Sequence, residues 1–384
     1  MLVPMRPILK AADEYRYAQG AFNVNAVCQV KAATEIHETL RSPAILQGAE
    51  LANGFMSGRV DFVSATLEDI KKGAENIVKA AKTYAKDSDI PVAVHLDHGR
   101  SFESCKAVID AGYTSVMIDG SALPYEENVE LTREVVKYAH PLGVSVEGEL
   151  GVLAGVEDHV FAATSTYTNP LTAIDFFKKT GVDALAISYG TQHGANKGKN
   201  TVIRKEIAIA IKECMMHEGI EGFLVSHGSS TVPQYVVEEL NALGGEIKNA
   251  YGIQVAQLVE VAKCGINKIN VDTDIRMATT RNFRKLFACR PELQKSPSIG
   301  GIYELLEAKK GAFDPRAFVA PIMETITTGK VTDEDVALIV TCMERALVEA
   351  VAPLLTQFGS YGKAGKVECV TLEEMADRYK KAGI

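Results

Sequence analysis

The sequence predicts an α/β protein built as a (β/α)8 (TIM) barrel with an appended C-terminal helical arm, and three observations carry that prediction. Eight short, largely apolar runs recur between residues 20 and 273, most of them bounded by Gly, Asn or Asp. Helix-period segments lie between them. Polar residues stand at the end of nearly every run, from Asn25 to Thr273. The third observation favours a closed barrel over a doubly wound open sheet, which gathers its polar ends at one switch point.

The runs are 20–25 (GAFNVN), 43–48 (PAILQG), 92–98 (VAVHLDH), 115–120 (SVMIDG), 145–150 (SVEGEL), 184–190 (ALAISYG), 223–228 (FLVSHG) and 268–273 (KINVDT). Near-continuous apolarity fits parallel strands buried on both faces. Between the second and third, Leu67, Ile70, Ala74, Ile77, Ala81 and Tyr84 fall at spacings of three and four. Thr66 with Asp69 reads as a capping box opening that helix, Asp standing in for Glu. Residues 27–40, 126–139, 202–215, 234–242 and 254–264 also read as helices. Residues 275–289 read as the last helix of a catalytic barrel spanning 1–289. Residues 290–384 form a C-terminal extension, with helices over 333–356 and 371–381, expected to pack on the barrel and at a dimer interface.

The chain has 384 residues, 47% hydrophobic and 23% charged, enough for a sizeable core. Its net charge of -8 disfavours a nucleic-acid partner, which calls for a basic footprint, but allows a locally positive site for an anionic substrate. Seven scattered cysteines with no Cys-x-x-Cys pair read as reduced thiols. The N-terminus lacks the apolar core of a signal peptide. No run approaches the ~18 apolar residues that span a bilayer. The expectation is a cytoplasmic protein without membrane association.

His98, His193 and His227 each follow an apolar run, in VAVHLDHG, LAISYGTQHG and FLVSHG. Parallel strands would bring the three imidazoles to one carboxyl-terminal edge. Three imidazoles with a fourth position open describe a catalytic zinc site. His95 and Asp97 share a strand face, and His98 falls where the pleat breaks and can turn to the same side. Asp97, beside a metal, is placed to move protons on a substrate. Glu147 and Glu149 share a face that points into the barrel, where an unpaired carboxylate is costly. One of them is therefore read as a metal ligand or as orienting one, with a core Lys or Arg as the alternative partner. The small residues of GVLAGVEDH suit a lid that delivers Glu157 as a proton carrier. HGANKGK, HGSS and NVDTD suit phosphate, through glycine-exposed N–H groups, hydroxyls and a lysine. The last two follow the final two strands, where barrels often hold phosphate. His37, His140, His159 and His217 read as surface or packing residues.

In combination, AFNVN, HLDHG, EGELG, GVED, GTQHG, HGSS, INVDTD and the late FDPR resemble the class II, zinc-dependent fructose-bisphosphate (ketose-bisphosphate) aldolases over essentially the whole chain. The resemblance implies a homodimer or homotetramer with zinc on His98, His193 and His227. Glu149 matches a carboxylate that takes the metal in an alternate position. Asp97 matches the general acid/base, and Glu157 the loop acid that exchanges the proton at the substrate carbon. Asn25 and Asn270 match substrate-contacting asparagines. Gly194, Gly228, Ser230, Asp272 and Thr273 match the site for the dihydroxyacetone-phosphate half, which a monovalent cation (K⁺ or Na⁺) often supports. Lys197 matches a lysine of the same loop in type. Arg316 matches an arginine that reaches the distal phosphate across the dimer interface.

The implied reaction is the reversible cleavage of fructose 1,6-bisphosphate to dihydroxyacetone phosphate and glyceraldehyde 3-phosphate. Asp97 takes the C4 hydroxyl proton, zinc stabilises the enediolate left behind, and Glu157 protonates it. Three positions depart from the family pattern. Ala49 stands where a substrate-holding serine is common, Glu50 adds a negative charge beside it, and Asn196 replaces a tyrosine. They bear on the aldehyde half and keep tagatose 1,6-bisphosphate or another ketose 1-phosphate in view. Further alternatives are a zinc-dependent barrel hydrolase, a Schiff-base aldolase using Lys268, and a non-catalytic scaffold.

Overall fold

All eight runs form strands, and the strands close into a ring. The computed structural model describes residues 1–153, 155–157, 160–162, 166–192, 194–195, 197 and 201–383, with the backbone alone for 156, 157 and 160–162. The strands are β1 (Gln19–Asn23), β2 (Ala44–Ala49), β3 (Val92–Gly99), β4 (Ser115–Ile118), β5 (Ser145–Leu150), β6 (Gly155–Glu157), β7 (Val160–Ala162), β8 (Ala184–Ile187), β9 (Phe223–Ser226) and β10 (Ile266–Val271). The ring runs β1–β10–β9–β8–β5–β4–β3–β2 and back, parallel at every join. β6 and β7 pair with each other as an antiparallel hairpin outside it. Several strands end two or three residues before their apolar runs do, because the polar tails leave the ladder to form the rim.

Side-chain alternation along each strand separates two cores. Leu46, Val94, Val116, Val146, Leu185, Leu224 and Ile269 face outward, under the helices. Ala21, Ile45, Ala93, Met117, Ala184, Ala186, Phe223 and Val225 face inward. The inward set packs against Val3, Met5, Ile8, Leu9 and Ala11. The last four belong to a helix over Met5–Glu14 that the sequence reading did not foresee. That helix plugs the amino-terminal end of the barrel. Above this apolar floor, β10 and β5 add Lys268 and Glu147. Toward the carboxyl ends the interior turns polar, with Asn23 paired to Gln47, Gln47 to His95, and Ala49 to Asp97 in the ladder.

The predicted helices are present, the one over Leu67–Tyr84 with its Thr66–Asp69 capping box. Helices over Glu50–Met56, Phe102–Ala111, Pro170–Thr180 and Gly300–Ala308 were not predicted. In the C-terminal extension, Glu334–Gln357 packs against Val27–Thr39 and Thr273–Cys289. It buries Val336, Ile339, Met343, Leu347, Val351 and Leu354, a stripe at steps of three and four. The seven cysteines are free thiols, Cys28 and Cys105 buried among them. Among the described residues, no helix is long and apolar enough to cross a membrane.

The last helix, Leu372–Ala382, is tied beneath the barrel by a buried polar network. Asp183 bonds to Arg6 Nη1 at 2.7 Å, Tyr379 Oη at 2.9 Å, His140 Nε2 at 3.1 Å and the Val146 N–H at 2.7 Å. His140 stacks flat on Tyr379, which gives that histidine the packing role expected for it. Burial pushes the Asp183 carboxyl up, but His140, Arg6 and the Val146 N–H outweigh it and hold the group at about 2, below the ordinary 3.8. A depressed carboxylate contributes stability above its unfolded value and loses it as pH falls toward the folded one. Here the window is about pH 4 down to pH 2, and the contribution near neutrality is roughly 2 kcal/mol. Asp183→Asn is therefore expected to unfold more easily than wild type at pH 7, with the gap closing as pH falls through that window. Urea unfolding of both proteins at a series of pH values checks this. A gap that stays constant from pH 7 to pH 2.5 contradicts it.

Candidate active site and metal centre

The site grows from the carboxyl ends of β3, β4, β5, β9 and β10. At the end of β3 the backbone turns sharply, and His98 takes a φ of +48°. The β3–β4 register slips between Leu96 and Gly99 at the same place. Non-glycine residues rarely adopt this conformation, and where they do the strain often serves a site. The turn breaks the pleat, so that Asp97 and His98, consecutive in sequence, share one cavity.

His98 Nδ1 lies 3.0 Å from Asp119 Oδ2. His227 Nε2 lies 2.7 Å from Glu147 Oε1. A carboxylate only accepts, so each of those nitrogens donates, and in a neutral ring the opposite nitrogen carries a lone pair. The two lone pairs face each other, with His98 Nε2 and His227 Nδ1 3.1 Å apart. Two acceptors so placed repel unless a proton or a metal cation lies between them. Two nitrogens on one tetrahedral zinc, each about 2.0–2.1 Å from it, stand about 3.3 Å apart. The donor set therefore fits a divalent metal. Ligand atoms of Asp97, His98 and His227 cluster tightly, and those of His98, Asp119 and Glu149 form a second cluster sharing His98. Glu149 Oε2 is 3.9 Å from His98 Nδ1 and has no hydrogen-bond partner among the described residues. A buried, orphaned carboxylate oxygen beside a histidine is the position expected of an alternate ligand.

The electrostatics follow from the crowding. Burial, then the neighbouring charge of Asp119, holds the Glu149 carboxyl well above its ordinary range. Burial opposes a charge on His98, but Asp119, Asp97 and Glu149 together raise it well above the usual imidazole value. Burial lowers His227 despite its bond to Glu147.

Asp97 is buried among amides. Asn23 Nδ2 donates to its Oδ2 at 2.9 Å and Gln47 Nε2 at 3.4 Å, while Asn270 Nδ2 reaches Oδ1 at 3.4 Å. Asn25 is buried too, with its Oδ1 unpartnered among the described residues. Ser230 Oγ accepts the N–H groups of Asp272 and Thr273, at 3.2 and 3.1 Å. Ser230 thus sits at the N-terminus of the Thr273–Cys289 helix. Gly228 and Gly194 have positive φ, and a Cβ on Gly228 would lie 2.4 Å from the Gln192 carbonyl oxygen. Lys197 is buried with its Nζ on the Gly194 carbonyl.

His193 and Asn196 lie outside the described residues. So does the Glu157 side chain, whose backbone ends β6. Arg316 is buried in its own chain, doubly bonded to Asp314 and with its guanidinium 4.7 Å from the Phe62 ring centre. Asp314 also pairs with Arg276, which pairs with Asp272, so this cluster runs back to the end of β10.

Two sequence expectations are corrected. Glu50 does not stand as a free negative charge beside Ala49. Arg100 Nε donates to its Oε1 at 2.8 Å and the Arg100 N–H to its Oε2 at 3.2 Å. Lys268 is not a free amine, because it is fully buried with Nζ 2.9 Å from Glu147 Oε2. That pairing removes the Schiff-base alternative and answers which partner Glu147 takes. The sequence reading missed Asn23, Gln47 and Asp119 as members of the site. Asp119 was visible as an acid at a strand's carboxyl end, the same signal that marked the histidines.

Comparison with known proteins agrees with this geometry. A family model described as fructose-bisphosphate aldolase class-II matches residues 3–363. A fructose-bisphosphate aldolase of Giardia intestinalis is 37% identical over 380 residues, 99% of each chain. One from Treponema pallidum is 39% identical over 338 residues, 85% of this chain and 92% of that one. The crystal structure of the YdjI aldolase from Escherichia coli K12 superposes with a TM-score of 0.63 at 25% identity, covering 95% of this chain and all of that one.

Proposed function

Since the chain belongs to the class II fructose-bisphosphate aldolase family, we propose that the cavity around Asp97, His98 and His227 is where it cleaves fructose 1,6-bisphosphate by a retro-aldol reaction. The products are dihydroxyacetone phosphate and glyceraldehyde 3-phosphate, and the reaction is reversible. The observation that carries this reading is the pair of imidazole nitrogens 3.1 Å apart, each imidazole fixed by its own carboxylate.

His98 and His227 would hold the metal together with His193, and Glu149 would offer it an alternate ligand. Zinc bound there would polarise the ketose carbonyl and supply the positive charge that stabilises the three-carbon fragment after cleavage. Asp97 removes the C4 hydroxyl proton, and the amides of Asn23, Gln47 and Asn270 keep its carboxylate aimed. Glu157, carried by the β6–β7 hairpin, returns a proton to the three-carbon fragment. Asn25 and Asn270 orient the sugar. Gly194, Gly228, Ser230, Asp272 and Thr273 hold the near phosphate at a helix N-terminus, where free N–H groups and the helix dipole favour an anion. A monovalent cation supports that phosphate. The protein works as a homodimer or homotetramer in the cytoplasm, and Arg316 reaches a distal phosphate across the subunit boundary only by leaving its pairing with Asp314. With Glu50 neutralised by Arg100, the distal end carries no unpaired negative charge from that residue.

The test is cleavage of fructose 1,6-bisphosphate, read as dihydroxyacetone-phosphate release, with and without EDTA and added Zn²⁺. Tagatose 1,6-bisphosphate runs alongside. Activity is expected to vanish with chelator, return with zinc, and favour the fructose sugar. Preference for tagatose 1,6-bisphosphate would reassign the substrate and leave the chemistry. Full activity in EDTA would sink the metal-dependent mechanism.

A further inference from the structure

We infer that Lys268 is a positioning residue for the metal centre, acting through Glu147 to fix which nitrogen of His227 faces the metal. This rests on the metal reading above.

A chain of buried polar groups crosses the barrel beneath the metal position. It runs Ser115 Oγ to His95 Nδ1 at 2.8 Å, His95 Nε2 to Lys268 Nζ at 3.1 Å, Lys268 Nζ to Glu147 Oε2 at 2.9 Å, and Glu147 Oε1 to His227 Nε2 at 2.7 Å. Ser115, His95, Lys268 and Glu147 are inaccessible to solvent. The order of donors and acceptors follows without observing a hydrogen. An ammonium only donates, so His95 Nε2 accepts and its Nδ1 carries the proton toward Ser115. A carboxylate only accepts, so His227 Nε2 carries a proton and His227 Nδ1 is left with a lone pair. His227 Nδ1 is the nitrogen that faces His98 Nε2.

Lys268 is the cation that makes this arrangement stable. A fully buried carboxylate without a cation is strongly disfavoured. The other groups bonded to Glu147 are histidines, whose protons must stay where the chain puts them. Lys268 also occupies one Glu147 oxygen, which leaves the other to the imidazole. The partners lie on β5 and β10, which are not ladder neighbours, so the contact spans the barrel and pins His227 from beneath. Groups that orient metal ligands in this way typically govern metal affinity by 10–100-fold.

The experiment measures zinc affinity by chelator competition for wild type, Lys268→Met, Glu147→Gln and the double variant. The zinc-free forms are checked by circular dichroism and thermal melting. Imidazole ¹⁵N NMR reports the His227 tautomer. Lys268→Met is expected to bind zinc 10–100-fold more weakly, and Glu147→Gln likewise. The double variant is expected to be no worse than the weaker single one, because both act on one link. His227 in wild type is expected as the Nε2–H form, and Lys268→Met as a mixture. A folded Lys268→Met that binds zinc within twofold of wild type overturns the inference, as does an additive loss in the double variant. If Lys268→Met does not fold, the near-isosteric Glu147→Gln decides: unchanged affinity and tautomer overturn it. Wild type that takes up no zinc would overturn the metal reading itself, and this inference with it.

Discussion

Asp97→Asn is expected to bind zinc as wild type does and to lose two to four orders of magnitude in cleavage rate, the usual contribution of a positioned acid–base group. The side chain sits beside the histidine pair with Oδ1 3.8 Å from His227 Nδ1. Its hydrogen-bonding neighbours Asn23, Gln47 and Asn270 are neutral donors that fix its direction without neutralising it. Asparagine keeps the shape and loses the capacity to accept a proton. The measurement pairs steady-state rates with zinc content. Asp97 also falls in a ligand cluster with His98 and His227, and the variant separates the two roles. Loss of zinc would make Asp97 a ligand. Retained zinc with activity within tenfold of wild type would remove it from the proton transfer.

His98→Ala is expected to abolish activity by abolishing the metal site. His98 belongs to both ligand clusters found among the described residues, so its loss removes a donor from each. The drop in zinc affinity should exceed the 10–100-fold that outer partners command, and activity should fall to the level of EDTA-treated wild type. Added zinc restores the chelated wild type and leaves the variant inactive. A variant that recovers with zinc would move the metal elsewhere. The φ of +48° at this position is strained for either side chain, so the comparison isolates the ligand.

The barrel was legible because parallel strands covered on both faces read as apolar runs. The eight runs and the eight ring strands coincide, apart from tails that turn away at the rim. The Met5–Glu14 helix was read only for what it lacks, a leader's apolar core. Its alternation of charged and apolar residues says nothing of the barrel end it covers. Phe102–Ala111 carried its own start signal in Ser101, which caps it. In the site, residues at strand ends could be named from position alone. Face parity placed Asp97 and Glu149 inside, but contacts across the barrel are not encoded in any local pattern. The Glu147–Lys268 pair joins residues 121 apart on strands that are not neighbours in the ring. The asparagine of β1 that donates to Asp97 is Asn23, because the strand ends there and Asn25 lies beyond the ladder.

The helix wedged under the barrel has a consequence for traffic. With Ile8 and Leu9 filling the lower end, the vessel has one mouth. Whatever reaches the histidines enters past the rim loops, and both products of a cleavage leave by the way the substrate came. A fragment held against the histidines would have its way out covered by any fragment bound nearer the rim, so the shape of the container would set an order of departure in cleavage and the reverse order of entry in synthesis.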